Sequence, residues 1–332
     1  MRALWLRVKA FVARLWARLF RRELAPGRFE IGRAESWRGY VTTAPSVPPE
    51  RDYLVYVPRG WSRWRRARLL VLCHGCRQTP EDFATLTRIA ARADRDGTLV
   101  LLPRQATRAN AWGCWNWFES NTERGAGEAA IVAAQIVAVR RRYRARRERV
   151  WVAGLSAGGA LAAVLALRHP RLVRGVLVHS GLACGAASSP ARALAVMKHG
   201  PDTDVGTIGA NARAAQRDDP PLAVALLAID GTRDDVVAPA NGNALVEQFL
   251  RFNGRDDSAS PPPPDASSSA SEPDRYASRT DDWTSAGKSV VRHVVVDGLA
   301  HAWSGGDAMF DYADPRGPDA LDLLARFIAE SP

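Results

Sequence analysis

Apolar runs of four to seven residues punctuate the chain, separated by Gly, Pro and charged clusters. Residues 53–57 alternate into Pro58, as a strand does. The runs at 69–73, 98–102, 150–153, 175–179, 223–229 and 290–296 are predominantly apolar, with Thr98, His179, Arg292 and His293 as the polar exceptions. Runs this short, rich in Val and Leu, predict strands buried on both faces. Between them, apolar residues recur at helical spacing over 81–94, 127–145, 157–168 and 239–251, with a closing amphipathic helix over 321–328. Strands that alternate with helices predict an α/β fold, with a mainly parallel sheet covered by helices on both faces. No internal repeat is seen.

Other stretches depart from this rhythm. Leu4, Val8, Phe11, Val12, Leu15, Trp16 and Leu19 recur at helical spacing with arginines between them, predicting an N-terminal amphipathic helix over 1–22. Basic side chains interrupt its apolar stretch and no Ala-x-Ala site follows, so no cleavable signal peptide is expected. A Trp/Leu/Phe face against an Arg face suits an anionic interface, on a membrane or a granule surface. Residues 23–52 read as a connector and 53–330 as one catalytic-sized domain. Within it, the Ser/Asp/Pro-rich stretch 254–274 predicts a disordered insertion. The long loop 104–126 is the kind that usually serves function.

At 332 residues the chain can bury a sizeable core. Its net charge of +11 first suggests a nucleic-acid partner. Residues 1–22, however, hold 7 of the 46 basic residues and no acid, so 39 basic residues face 35 acidic ones beyond them. The excess belongs mostly to one amphipathic segment, which argues against nucleic acid. No apolar run approaches membrane-spanning length.

The chemistry centres on Gly154-Leu155-Ser156-Ala157-Gly158, a G-x-S-x-G sequence between a strand and a helix. That context marks a nucleophile elbow, which lifts a serine hydroxyl above the sheet at a helix N-terminus. Such a serine needs a base, and the base an orienting carboxylate, in the chain order Ser, Asp or Glu, His. Of the six histidines only His301 follows a late strand on a Gly-containing turn. The turn after 223–229 offers Asp234 and Asp235, which spacing does not separate. The Ala157 amide is one oxyanion donor. The second comes from His74-Gly75-Cys76, with Cys76 N–H favoured because Gly75 permits close backbone approach. Cys73 reads as an inert buried thiol. Cys76 and Cys114 lie in loop-like sequence and can pair in an oxidising compartment.

Five segments together resemble the polyhydroxybutyrate (PHB) depolymerase family of esterases. They are 72–79 around His74-Gly75-Cys76, 110–118 with Cys114-Trp115-Asn116-Trp117-Phe118, 152–159 around Ser156, 179–182, and 298–306 around His301. Residues 314–319 are similar to its C-terminal segment. The resemblance implies an α/β-hydrolase fold and a Ser156–Asp234–His301 triad, since Gly231-x-x-Asp234-x-Val236-Val237 matches the family's acid pattern. It also implies the Cys76 amide as oxyanion donor, Trp115 as an aromatic wall near the acyl chain, and Asn110 as a further substrate contact. Two departures stand out: Asp230-Gly231 replaces the usual His-Gly, and Ala183-Cys184 replaces a common Pro-Tyr. Family members are often secreted, so an extracellular site and a cytoplasmic membrane or granule surface are equal expectations.

The expected function is therefore a serine esterase working through an acyl-enzyme on hydroxyalkanoate polyesters or oligomers, with no metal or organic cofactor. The alternatives are an esterase of feruloyl or acetyl groups on polysaccharide, and a non-catalytic surface-binding protein on a hydrolase scaffold.

Overall fold

The computed structural model describes residues 26–35, 50–64, 66–146, 150–255 and 262–332. The expected amphipathic helix 1–22 lies outside them. In chain order the elements begin with β1 (Arg28–Glu35), β2 (Glu50–Val57), β3 (Leu69–Cys73), α1 (Pro80–Leu86), α2 (Ile89–Asp96) and β4 (Leu99–Pro103). There follow α3 (Ser120–Glu123), α4 (Gly127–Tyr143), β5 (Val150–Leu155), α5 (Ala157–Arg168), β6 (Gly175–His179), α6 (Pro190–His199) and α7 (Val205–Ala214). The last part holds β7 (Ala225–Gly231), α8 (Ala240–Phe252), β8 (Ala266–Ala270), β9 (Ser278–Ser285), β10 (Lys288–Val296), β11 (Trp303–Ser304), β12 (Ala313–Asp314) and α9 (Ala320–Glu330).

Among the described residues, ten strands form one sheet in the order β1-β2-β4-β3-β5-β6-β7-β10-β9-β8. The six from β4 to β10 run parallel, and antiparallel strands flank them on both sides. Side chains alternate between two cores, as the pleat requires. Val150 and Val152 of β5 join the layer under α4, α5 and α8, while Trp151, Ala153 and Leu155 join the layer under α1, α2 and α9. Burial on both faces explains why these strands show no polar alternation in sequence.

The structure corrects three of the sequence expectations and adds two helices to them. The helix expected over 81–94 is two helices. Thr87 Oγ1 donates to Phe83 O at 2.7 Å, and Arg88 turns left-handed at φ 53°. The expected connector 23–52 contains β1, paired along its length with β2. Its alternation runs the opposite way to the usual rule. Phe29 and Ile31 face out, and Glu30 turns in to accept from Tyr143 OH at 2.7 Å. The expected disordered stretch 254–274 contains β8, an exposed edge strand of Ser and Ala. Backbone pairing and an anchor hold it: Asp265 accepts from Thr284 N at 2.6 Å and from Arg255 at 3.0 Å. Helices α6 and α7 were unassigned by pattern, although Ser189-Pro190 and Asp204 supply ordinary caps, each accepting a backbone N–H.

Candidate active site

Parallel strands end at one edge of the sheet, and the site is built there. Leu155 pairs with His179, His179 with Ile229, and Gly231 with Val296. Ser156, Asp234 and His301 follow the ends of β5, β7 and β10, so the topology gathers them from positions far apart in the chain.

Ser156 occupies the turn at φ 57° and ψ −122°, a conformation costly for a residue with a Cβ. Its N–H donates to His179 O at 2.9 Å. The flanking glycines are required by close approach. A Cβ on Gly158 would lie 2.3 Å from Cys73 O and 2.5 Å from His74 O, and one on Gly154 would lie 2.3 Å from the Gly158 backbone. Their absence lets the β3–α1 loop pack against the start of α5.

His301 Nδ1–H donates to Asp234 Oδ2 at 2.8 Å, and this bond leaves Nε2 as the ring nitrogen able to take a proton. Asp234 Oδ1 accepts from Val236 N at 3.0 Å and Val237 N at 2.7 Å. Burial alone would raise the carboxyl pKa. The His301 bond and charge, the Val237 N–H and the Ser180 hydroxyl overcome it and hold Asp234 below its ordinary value. Asp235 is exposed. Among the described residues, no hydrogen bond joins Ser156 Oγ to His301. Catalytic contacts of this kind are commonly long without substrate and tighten in the complex.

The loop after β3 leaves one donor unspent. Gly75 N donates to Gln78 Oε1 at 2.7 Å and Arg77 N to Trp112 O at 2.8 Å. The Cys76 N–H between them has no partner among the described residues, and neither has Ala157 N–H, the first amide of α5. Trp115 is 1% exposed, and its indole N–H donates to His74 O at 3.0 Å. It is closed off from solvent beneath this loop instead of forming the expected open aromatic wall; a buried indole must satisfy its N–H. Asn110 is likewise committed within its own loop, donating to Asn116 Oδ1 at 2.9 Å and accepting from Trp112 N at 3.0 Å.

Pattern reasoning missed the supports. Glu128 is buried at the start of α4 and accepts from Gln105 Nε2 at 2.5 Å and Asn116 N at 2.7 Å; burial raises its pKa. It thereby ties the loop that carries Cys114 and Trp115 to a helix. His74, pushed down to about 4 by burial, accepts at Nε2 from Gln105 N. His179, pushed down to about 3 by burial, accepts from Ser304 N at 3.0 Å and stacks on Trp303. Both departures from the family pattern have internal partners. Asp230 Oδ2 accepts from His293 Nε2 at 2.9 Å, between the two strands that carry acid and base. Gln248 holds the Cys184 backbone by N–H and C=O, at 2.9 and 2.8 Å. Burial raises the Cys73 and Cys184 thiols to about 12, so neither is a nucleophile.

Cys76 and Cys114 form a disulfide with a sequence separation of 38. Opening it is expected to cost about 4 kcal/mol of stability by chain entropy. It also unpins the loop that presents the Cys76 amide. Cys114→Ser should therefore lower kcat on a nitrophenyl ester with KM changed little. The ceiling is roughly the 10²–10³ lost with one oxyanion donor. Unaltered kcat in the folded variant would show that the loop holds its shape unaided.

The profile of the family described as Esterase PHB depolymerase matches residues 51–262, more than half of the chain. The sequence is 30% identical over 221 residues to poly(3-hydroxyalkanoate) depolymerase C of Paucimonas lemoignei, across 66% of this chain and 52% of that one. It is 29% identical over 153 residues to feruloyl esterase B of Neurospora crassa, across 45% and 51%. The acetyl xylan esterase from Aspergillus awamori superposes with a TM-score of 0.64 at 19% identity, over 82% of this chain and 94% of that one, a likeness of fold. The chain spans about half the length of these two curated relatives. With its α/β-hydrolase sheet and its sequence match taken together, the chain belongs to the PHB depolymerase family of esterases.

Proposed function

We propose that this chain is a serine esterase. The observation that carries the reading is the buried Asp234–His301 pair at the sheet edge where the Ser156 elbow opens. Ser156 Oγ attacks an ester carbonyl while His301 Nε2 takes its proton, and Asp234 stabilises the imidazolium. The unpartnered amides of Cys76 and Ala157 receive the oxyanion. The protonated His301 gives its proton to the leaving alcohol. Water, deprotonated by the same ring, then cleaves the acyl-enzyme and releases the acid. These steps call on no metal and no organic cofactor.

For substrate we propose a hydroxyalkanoate polyester or its oligomers. Apolar side chains stand exposed around this edge: Trp112 (61%) beside the oxyanion loop, and Met309 (88%) with Tyr312 on the turn after His301. Single exposed apolar residues are ordinary, but Trp112 against the loop that carries Cys76 and Tyr312 against the His301 ring suit a substrate that is itself an apolar surface. The feruloyl and acetylxylan esterases among the relatives favour polysaccharide esters as the second reading. Polyhydroxybutyrate film, methyl ferulate and acetylated xylan offered in parallel should give the highest turnover on the film, read as soluble hydroxy acid. Highest turnover on ferulate or xylan would instead select the second reading. Residues 1–22 are proposed as an interfacial segment that brings the enzyme to a membrane or granule.

A further inference from the structure

The sheet edge opposite Ser156 carries a surface that the chemistry does not use. Strand β5 begins there, a strand length of about 20 Å from the serine. At that edge α4 ends, and Arg146 N donates to Ala67 O at 3.0 Å, which brings residues 61–64 and 66–68 alongside 140–146. Trp61, Arg63, Arg141, Arg142 and Arg144 line one shallow concavity. Trp64 stands beside it, 82% exposed, with the Arg63 guanidinium 5.7 Å from its ring. Arg142 pairs with Glu30 at 3.1 Å. Arg63, Arg141 and Arg144 have no carboxylate within ion-pair distance among the described residues.

Topology adds a second, independent observation. Strand β2 runs antiparallel to β4 and so ends at this same edge, and Arg28, the first residue of β1, pairs with Val57, the last of β2. The preceding segment, with its seven basic residues and no acid within 1–22, is therefore joined to the domain at the basic edge and not at the catalytic one.

We propose that this edge docks on an anionic phospholipid bilayer, leaving the Ser156 edge turned away from the membrane. Unpaired arginines complement lipid phosphates, and each basic side chain near an anionic leaflet contributes about fivefold in binding. An exposed tryptophan is the side chain that settles at the headgroup level, apolar body inward and N–H outward. A nucleic acid would satisfy the arginines but offers nothing to the Leu, Val and Phe positions of residues 4–19. Among the described residues no helix is long and apolar enough to cross a membrane.

The test is co-sedimentation of the full chain with phosphatidylcholine vesicles, with and without phosphatidylglycerol. The wild type should partition to the anionic vesicles and be released by salt. Combined Arg63→Gln, Arg141→Gln and Arg144→Gln should lower that partitioning on the order of 100-fold, and Trp64→Ala should weaken it on vesicles without reducing net charge. Thermal unfolding by circular dichroism checks that each variant is folded. Arg192→Gln, Arg275→Gln and Arg279→Gln together remove equal charge elsewhere and should change partitioning only a few-fold. The proposal is overturned if the patch variant partitions like the wild type, or if both triple variants lose binding equally. It also fails if the patch variant loses retention on DNA while keeping the vesicles. None of these readouts depends on ester hydrolysis.

Discussion

Replacing Ser156 with alanine is expected to lower ester turnover by on the order of 10⁶, because members of such a triad act as a unit and the nucleophile has no substitute. What survives should be the small acceleration supplied by the oxyanion amides and by binding, roughly 10³–10⁴ over water. The fold should not suffer. The residue at the elbow sits at φ 57°, and alanine bears the same Cβ as serine, so the strain is unchanged. Ser156 Oγ holds no hydrogen bond among the described residues that its loss would break. Release of nitrophenol from a short-chain ester, by wild type and Ser156→Ala, reads the effect directly. Equal rates would leave a surface-binding protein on a hydrolase scaffold as the better description.

The elbow was legible in sequence because steric necessity wrote it there. Only glycine lets Cys73 O come within 2.3 Å of where a Cβ would stand on residue 158, so the spacing of glycines about a serine is a readable trace of backbone contact. The central strands were legible for a similar reason, since burial on both faces leaves mostly apolar runs. Structure held by partners distant in sequence left no such trace. Strand β1 turns Glu30 inward, half-buried, and exposes Ile31, and Tyr143, far along the chain, supplies the hydrogen bond that Glu30 accepts. Strand β8 is Ser and Ala, fixed by Asp265 and by its pairing with β9, and nothing in its composition distinguishes it from a linker. Glu128 looks like any acidic residue in the first turn of a helix, yet it is buried and braces the loop bearing Cys114 and Trp115.

Trp115 shows how a correct neighbourhood can carry the wrong role. The resemblance to the PHB depolymerase family implied that it is an aromatic wall near the acyl chain. The indole N–H instead donates to His74 O, and the ring is closed off beneath the oxyanion loop. In the proposed mechanism this bond steadies the loop that carries the Cys76 amide, so losing the indole is expected to act on the transition state instead of on substrate affinity.

The acidic residue was left open by spacing between neighbours, and the structure makes the choice testable. Asp234→Asn is expected to cost about 10⁴ in kcat. Its Oδ1 can still accept from Val236 and Val237 N–H, so the loop should keep its shape. The amide nitrogen, however, would face His301 Nδ1 where Oδ2 now accepts at 2.8 Å. Donor would meet donor, so the ring would move its proton to Nε2 and lose the lone pair that must receive the Ser156 proton. Loss of the negative charge would also leave the imidazolium unstabilised. Asp235→Asn should remain within a few-fold of wild type, since its carboxylate is exposed and makes none of these bonds. KM should change little in either variant, because the effect falls on proton transfer and not on ground-state binding. A large loss from Asp235→Asn with Asp234→Asn near wild type would move the acid to its neighbour. That outcome would require the loop after β7 to turn over when substrate binds.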